Sequence, residues 1–123
     1  MNNSDSEFKD KYVVITGAGK GIGKYIAQAF INQGAKTIFI SRNEISWLDQ
    51  FKKNQYIAIH RDIQDISYFR SWLKSFEEKG NRIDILINNA GINDSQKLLN
   101  ISEEEWDSLI NINGKATFFL TQI

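Results

Sequence analysis

Four glycines and a lysine lie close together in the segment Gly-Ala-Gly-Lys-Gly-Ile-Gly at residues 17–23. In this spacing Gly17 permits a tight turn, Gly21 lets the backbone approach a ligand, and Gly23 allows a helix to pack closely on a strand. A helix that begins at this turn presents unpaired backbone N–H groups and the positive end of its dipole, and both favour an anion. The segment therefore predicts a site for phosphate groups, unless it is a glycine-rich turn without a ligand.

Three other polar positions follow or interrupt apolar segments. Asp62 comes soon after an apolar run, and Asn89 lies in an Asn-Asn-Ala-Gly segment that ends another. Asn113 falls within an apolar helical pattern, where an amide without a partner would be costly, so a specific hydrogen bond is favoured. Asp62 could also be a solvated carboxylate at a strand end, and Asn89 could simply tie backbone together in a sheet.

Four short apolar segments predict the strands that would hold these residues in place. They cover residues 12–15, 37–40, 55–60 and 83–87. Runs of β-branched and other apolar residues are typical of strands buried on both faces of a parallel sheet. The glycine segment follows the first strand, and the Asn-Asn-Ala-Gly segment follows the fourth.

Apolar residues at helical spacing predict a helix after each strand. The first carries Ile22, Ile26, Ala29, Phe30 and Gln33 on one side and ends at Gly34. The second begins at residues 41–44, which have capping-box spacing, and carries Ile45, Leu48 and Phe51 on its inner face. The third carries Ile66, Phe69, Trp72, Leu73 and Phe76. The last begins at a capping box, residues 102–105, and carries Trp106, Leu109, Ile110, Asn113, Ala116, Thr117 and Leu120 toward one side.

Strands that alternate with amphipathic helices predict an α/β fold, a Rossmann-type parallel sheet with helices on both faces. Right-handed crossovers favour the strand order 3-2-1-4. Ligands of such sheets bind at the carboxyl ends of the strands, near the switch point between strands 1 and 4, and the glycine and Asn-Asn-Ala-Gly segments both fall there. We expect residues 1–10 to form a flexible lead-in and residues 11–123 a dinucleotide-binding domain.

The composition excludes several kinds of site and partner. The 123 residues include no cysteine and one histidine, so thiol chemistry is excluded and no metal site is expected. Acidic and basic residues number 15 each without long runs of either sign, which argues against a nucleic-acid partner or a polybasic membrane anchor. No apolar run approaches the roughly 18 residues that span a bilayer, and the polar first residues do not resemble a signal peptide. We therefore expect a cytoplasmic protein.

Four motifs, in order along the chain, resemble those of the short-chain dehydrogenase/reductase family. They are Thr-Gly-x-x-x-Gly-Ile-Gly at 16–23, Asp-Ile at 62–63, Asn-Asn-Ala-Gly at 88–91, and residues 106–113, which are similar to the family's Trp-Asp-x-x-x-x-Val-Asn stretch. The resemblance covers about residues 9–122 and implies hydride transfer between a nicotinamide cofactor and a small carbonyl or alcohol substrate. It implies that Asn113, rather than Asn111, is the catalytic asparagine. The implied cofactor-binding residues are Gly17, Lys20, Gly21, Ile22, Gly23, Ser41, Arg42, Asp62, Ile63, Asn89, Ala90 and Gly91.

The charges after the second strand bear on the choice of cofactor. NAD(H) sites of this design usually place an acidic residue there to hold a ribose hydroxyl. This chain has Ser41 and Arg42 at that point and no acid before Glu44, and a guanidinium can pair with a 2′-phosphate through two hydrogen bonds. Together with Lys20 in the glycine segment, Arg42 resembles the basic pair of the family's NADPH-dependent carbonyl reductases. The sequence therefore favours NADP(H), with NAD(H) as the alternative.

The other catalytic groups of the family have no counterpart in this sequence. The family uses a serine, a tyrosine and, four residues after the tyrosine, a lysine. The residues found four positions after the tyrosines of this chain are Thr16, Ala29, His60 and Trp72. We therefore expect an N-terminal portion of an oxidoreductase, with the C-terminal half of the fold missing and no activity by itself, whose full-length form is a homo-oligomer. The alternatives are a catalytically inactive dinucleotide-binding module and a structural partner that completes its sheet with another chain.

Overall fold

The computed structural model describes residues 6–91 and 98–123, which are built around a parallel sheet. The strands are β1 (Tyr12–Thr16), β2 (Lys36–Ser41), β3 (Tyr56–His60) and β4 (Ile85–Ile87). They are parallel throughout and lie in the order β3-β2-β1-β4. This arrangement confirms the predicted α/β fold and puts the switch point between β1 and β4.

Helices connect the strands and cover the sheet. The longer ones are α1 (Gly21–Asn32), α2 (Ile66–Glu78), α3 (Glu103–Ile110) and α4 (Thr117–Gln122), with a π-helical segment, Asn111–Ala116, between the last two. The predicted capping box begins α3: the Ser102 hydroxyl accepts the Glu105 N–H, and the Glu105 carboxylate accepts the Ser102 N–H. Within the two described stretches of chain, no helix is both long and apolar enough to cross a membrane.

Two hydrophobic clusters fill the space on the two faces of the sheet. In β1, Val13 and Ile15 belong to one cluster and Val14 to the other. Neighbouring residues of a strand point to opposite faces, so β1 is covered on both sides and reads as a continuous apolar run. Because β1 is packed on both faces, the position of its last residue is fixed, and so is the start of the glycine turn that follows it.

The face that α1 turns to the sheet matches the prediction only in part, since Ile26 and Phe30 pack against the core as predicted. Its buried residues are Gly23, Ala27 and Ile31, whereas Ile22, on the predicted face, is 74% exposed. Positions four apart line one face of a helix. The apolar pattern missed this face because its first member is a glycine without a side chain, and that same lack of a side chain lets α1 approach the sheet.

The helix predicted to begin at residues 41–44 is not formed. Ser41 instead ends β2, and its carbonyl accepts the Arg61 N–H at 3.0 Å. A 3-10 helix follows at Ser46–Gln50. The buried residues of this segment are Ile45, Trp47 and Leu48. Their spacing is closer than a regular α-helical stripe, which suits the tighter 3-10 turn.

The last helical segment faces the sheet only partly as predicted. Its buried residues are Ile112, Ala116 and Leu120, while Trp106 and Ile110 are 59% and 49% exposed. The π-helical segment adds a residue to a turn, so the face that meets the sheet shifts along the chain. A regular helical period therefore predicted Ala116 and Leu120 correctly, but it failed for Trp106 and Ile110, which precede the π turn.

Residues 6–10 are the described part of the predicted lead-in, and residues 1–5 lie outside the described residues. Phe8 contacts Phe30 of α1 edge to face, with ring centroids 5.1 Å apart. The Ser6 hydroxyl donates to the Gln33 side chain at 2.8 Å. These contacts attach residues 6–10 to the end of α1.

A reciprocal pair of hydrogen bonds joins the start of β1 to the residue before β4. The Tyr12 N–H donates to the Asp84 carboxylate at 3.0 Å, and the Asp84 N–H donates to the Tyr12 carbonyl at 2.9 Å. The Arg82 guanidinium donates to the second carboxylate oxygen at 2.7 Å. The Arg82 hydrogen bond, followed by that of the Tyr12 N–H, lowers the pKa of Asp84 because both stabilise the charged form. The strand β4 begins after this pair, at Ile85, rather than at residue 83 as predicted.

Acid should weaken this junction. A carboxylate whose pKa is lowered by folding stabilises the fold above its ordinary pKa of 3.8, and the contribution is lost as the pH falls through the lower, folded value. We therefore expect the free energy of unfolding to decrease between about pH 5 and pH 2, and Asp84→Asn to remove part of that decrease. Urea denaturation at a series of pH values measures both. The control is Asp49→Asn, at an exposed carboxylate outside the junction; the same change in both variants would contradict the prediction.

Candidate functional site

A cleft of about 540 Å³ opens at the carboxyl ends of the strands. It lies at the switch point between β1 and β4, where such sheets bind ligands. Most of the residues predicted to bind a cofactor line it: Gly17, Lys20, Gly21, Ser41, Arg42, Asp62, Ile63, Asn89, Ala90 and Gly91. The fold therefore brings together residues from four separate segments of the chain.

The glycine turn bends the backbone sharply between β1 and α1. Gly17 and Gly21 have φ angles of +68° and +59°, in the left-handed region that glycine adopts most easily. At Gly17 a side chain would also meet backbone, because an added Cβ would lie 2.8 Å from the Ala90 Cα. A Cβ added at Gly21 would meet nothing within 4 Å, so the backbone there is accessible from the cleft.

Thr16, the last residue of β1, ties the turn to the Asn-Asn-Ala-Gly segment. Its buried hydroxyl oxygen accepts the N–H groups of Asn89 and Ala90 at 3.0 and 2.8 Å. The Asn89 side-chain amide donates in turn to the Gly17 carbonyl at 3.0 Å. The sequence left open whether Asn89 simply ties backbone segments together. The structure shows that it does so, and Asn89 also lines the cleft.

Two of the predicted residues, Ile22 and Gly23, lie beside the cleft rather than in its lining. The Ile22 side chain is 74% exposed next to the turn. Gly23 is buried, and an added Cβ would collide with the Asn89 amide and the Gly17 carbonyl. Gly23 therefore allows α1 to pack closely behind the turn, the role that its spacing predicted.

Both signs of charge border the cleft. Lys20, Arg42 and Glu44 all line it, and all three side chains are exposed. The capping-box pattern places Glu44 in a helix, whereas in the structure it lies in the loop after β2. A carboxylate at the border of the cleft repels an anionic ligand, so Glu44 bears on which ligand the cleft can hold.

The end of β3 contributes an acidic and a basic residue. The Asp62 carboxylate accepts the Gln64 N–H at 2.9 Å, a local turn contact, and Asp62 also lines the cleft. Arg61 lines it as well; its guanidinium lies 3.8 Å from the Tyr68 ring centroid and 2.9 Å from the Asp65 carboxylate. The Arg61 hydrogen bond lowers the pKa of Asp65, so this carboxylate stays charged at neutral pH and helps to hold Arg61 in place.

Asn113 lies in the π-helical segment and is exposed, not on the inner apolar side that the helical pattern predicted. The added residue of the π turn rotates it away from that side. Its side-chain oxygen faces Gly91, since a Cβ added at Gly91 would lie 3.1 Å from it. Asn113 thus borders the end of the Asn-Asn-Ala-Gly segment, and its neighbour Ile112 lines the cleft.

Several lining residues are not among the predicted site residues. They are Gly19, Ile40, Asn43, Glu44, Arg61 and Ile112. Each stands within two positions of a predicted site residue in the sequence, so proximity along the chain is the signal that could have found them. In the part of the chain that is described, no group of three or more His, Asp or Glu side chains could hold a metal ion.

A buried tryptophan contacts the glycine turn from behind. The Trp47 indole N–H donates to the Ala18 carbonyl at 3.0 Å. The helical pattern after β2 omits Trp47, because a 3.6-residue period through Ile45 and Leu48 skips it. No motif includes this residue, so its contact with the turn emerges only from the fold.

Gly23→Ala should destabilise the protein by overpacking behind the turn. The new Cβ would collide with the Asn89 amide and the Gly17 carbonyl, and overpacking typically costs about 1–3 kcal/mol. Gly114→Ala is the matched control, because a Cβ added there meets nothing within 4 Å and alanine favours helix over glycine. Urea unfolding of both variants measures the difference. If Gly23→Ala were as stable as the control, the close packing of α1 would not matter to the fold.

Comparison with known proteins shows that the chain is similar to oxidoreductases. The family model described as short chain dehydrogenase matches residues 11–123. An uncharacterized oxidoreductase of Staphylococcus epidermidis is 32% identical over 119 residues, which cover 95% of this chain and 52% of that protein. The chain thus spans about half the length of the curated relatives it matches.

The solved structures that resemble this chain include oxidoreductases as well. A short-chain dehydrogenase from Leptospira borgpetersenii with bound NAD+ has a TM-score of 0.86 and 29% identity, with 99% of this chain and 47% of that chain covered. A 3-ketoacyl-(acyl-carrier-protein) reductase from Brucella melitensis complexed with NADH has a TM-score of 0.82 and 27% identity, with 94% and 49% covered. Because the family match extends over nearly the whole chain and the fold agrees with it, the chain belongs to the short-chain dehydrogenase family.

Proposed function

We propose that this chain binds NADP(H) in the cleft and supplies the dinucleotide-binding part of an oxidoreductase that acts on carbonyl or alcohol groups. The observation that carries the proposal is the clasp formed by Thr16, Gly17 and Asn89. It holds an open glycine turn, at the start of α1, against the Asn-Asn-Ala-Gly segment. Backbone N–H groups at such a helix start bind phosphate groups.

The lining residues suit different parts of a dinucleotide. The backbone at Gly21 and Ile22, at the N-terminus of α1, would hold the diphosphate. Asp62 and Ile63 would meet the adenine, with the carboxylate accepting a hydrogen bond from the exocyclic amino group. The Asn-Asn-Ala-Gly residues 89–91 form the facing wall, against which the rest of the cofactor would lie.

The charges beside the cleft support NADP(H) over NAD(H). Lys20 and Arg42 can both pair with a 2′-phosphate, and a guanidinium does so with two parallel hydrogen bonds. Glu44 supports the alternative, because a carboxylate accepts ribose hydroxyls and repels a phosphate. The relatives from Leptospira and Brucella hold NAD+ and NADH, which also keeps NAD(H) as the second candidate. Near the end of β2, Lys20 and Arg42 outnumber the single carboxylate of Glu44, and this local excess of positive charge favours the phosphorylated cofactor.

Arg42→Ala tests the choice of cofactor. We expect the unchanged chain to bind NADPH more tightly than NADH. The variant should lose about tenfold or more in NADPH affinity, because a charge-assisted hydrogen-bonded pair is removed, and keep its NADH affinity. Titration of each cofactor, followed by calorimetry or NADPH fluorescence, measures the dissociation constants. Equal affinities for the two cofactors in the unchanged chain would contradict the preference.

Glu44→Gln is the matched control for this experiment, because it changes the charge of a neighbouring lining residue without removing a cation. If the cofactor is NADPH, the substitution should leave its binding unchanged or tighten it, since one repulsive charge is gone. A loss of NADH affinity in Glu44→Gln, together with no effect of Arg42→Ala on NADPH, would support NAD(H) instead.

Asn113 would be the contribution of this chain to the reaction itself. Its oxygen lies beside Gly91, at the border of the cleft. The sequence contains no Tyr-x-x-x-Lys pair, which the family resemblance implies for proton transfer. We therefore propose, as the first interpretation, that the chain is the cofactor-binding part of a longer oxidoreductase and does not turn over a substrate by itself. The second interpretation is a catalytically inactive binding module. A serine and a Tyr-x-x-x-Lys pair encoded downstream of codon 123 would favour the first.

The exposed side of α3 supports self-association of the full-length form. Trp106 and Ile110, one helical turn apart, are 59% and 49% exposed. Large apolar side chains that share one helix face are typical of contacts between proteins. A homo-oligomer that meets through α3 is therefore part of the proposal.

The chain by itself should not accelerate the oxidation of NADPH. Reduction of a carbonyl needs a proton donor at the substrate oxygen, and the tyrosine and lysine implied for that role are absent from the sequence. NADPH absorbance can be followed with a small ketone, a sugar ketone and a 3-oxoacyl thioester, the last because the Brucella relative is a 3-ketoacyl reductase. Oxidation above the buffer rate that Asn113→Ala abolishes would overturn the expectation of inactivity.

A further inference from the structure

Trp47 is held rigidly behind the glycine turn. Its ring packs edge to face against Phe39 of β2 and against Phe51, with centroid distances of 5.3 and 5.9 Å. The residue is 5% exposed and belongs to the hydrophobic cluster that also contains Ala18. A ring enclosed on several sides has one available orientation, so the direction of its indole N–H is fixed.

This N–H controls one peptide unit of the turn. It donates to the Ala18 carbonyl at 3.0 Å, and both residues are buried. In a trans peptide the Ala18 carbonyl and the Gly19 N–H point in opposite directions, and no cis peptide bond occurs in the described residues. With the carbonyl directed inward to Trp47, the Gly19 N–H is directed outward, and Gly19 is a lining residue of the cleft.

We propose that Trp47 is a positioning residue for the diphosphate of the cofactor: through the Ala18 carbonyl it presents the Gly19 N–H to a phosphate oxygen. The inference rests on the proposed function, because it presumes that a dinucleotide occupies the cleft. The peptide between Ala18 and Gly19 adjoins glycine, which rotates freely, so an unrestrained turn would have to be ordered when the ligand binds. Trp47 removes that cost by fixing the peptide beforehand, and its hydrogen bond polarises the peptide and strengthens the N–H as a donor.

An aromatic ring without an N–H would fill the same space, so the hydrogen bond can be separated from the packing. Trp47→Phe keeps a ring against Phe39 and Phe51 and removes the donor. Trp72→Phe is the matched control, since Trp72 stacks on Phe76 in the cluster on the other face of the sheet and makes no contact with the turn. Both substitutions remove the same atoms, although Trp72 is only half-buried, and thermal unfolding of each variant reports their effects on stability.

The decisive measurement compares two ligands. NADPH carries the diphosphate, whereas adenosine 2′-monophosphate carries the adenine, the ribose and the 2′-phosphate without it. Trp47→Phe should weaken NADPH binding by about fivefold to twentyfold, the effect of one lost or misdirected hydrogen bond. Its affinity for adenosine 2′-monophosphate should be unchanged, and Trp72→Phe should change neither affinity. An equal loss for both ligands in Trp47→Phe, or no loss for NADPH, would overturn the proposal.

A second measurement needs no variant and applies even if Trp47→Phe fails to fold. Coupling between two sites is reciprocal, so a ligand that needs the fixed peptide must stabilise the hydrogen bond that fixes it. NADPH should therefore slow the solvent exchange of the Trp47 indole proton more than that of the Trp72 indole proton, and adenosine 2′-monophosphate should not. An unchanged Trp47 exchange rate with NADPH bound would overturn the inference. Failure of the unchanged chain to bind NADPH at all would instead remove the proposed function.

Discussion

The buried hydroxyl of Thr16 is the contact on which the cleft depends. It accepts two backbone N–H groups from residues 73 and 74 positions farther along the chain. A hydroxyl oxygen has two lone pairs, so one side chain satisfies both donors at once. A β-branched apolar residue would occupy the strand equally well but would leave two half-buried N–H groups unpaired, which would destabilise the fold. This oxygen atom and the Asn89 amide together hold the glycine turn against the facing wall.

The turn is supported from two sides that do different work. The Asn89 amide holds the Gly17 carbonyl on the side of β4, and the Trp47 indole holds the Ala18 carbonyl on the side of β2. With two successive carbonyls occupied inside the protein, the following backbone stays open toward the cleft. A backbone amide cannot move toward a ligand as a flexible side chain can. Amides that bind phosphate must therefore already point toward it.

The sequence was informative where chemistry depends on local order and uninformative where it depends on contacts across the fold. Strand order and most lining residues could be predicted, because buried parallel strands and glycine turns leave marks in consecutive residues. The buried face of α1 could not, since Gly23 contributes to it by having no side chain. Glu44 lies in a loop because Ser41 stays paired with β3 at the end of β2, and a capping-box pattern does not reveal that pairing. Trp47 was missed because its partner lies 29 residues away.

The two walls of the cleft also differ in when they can form. The turn, α1 and β2 follow β1 directly, so their contacts close short loops, whereas the hydrogen bond between Thr16 and Ala90 spans 74 residues. Contacts between residues distant in sequence pay a larger loop-closure entropy and slow the folding of the chains that depend on them. The glycine turn can thus pack against α1 and β2 before β4 docks, but a complete cleft cannot form until then. A dinucleotide that needs both walls would stabilise the state in which β4 is docked, because it binds only the closed sheet.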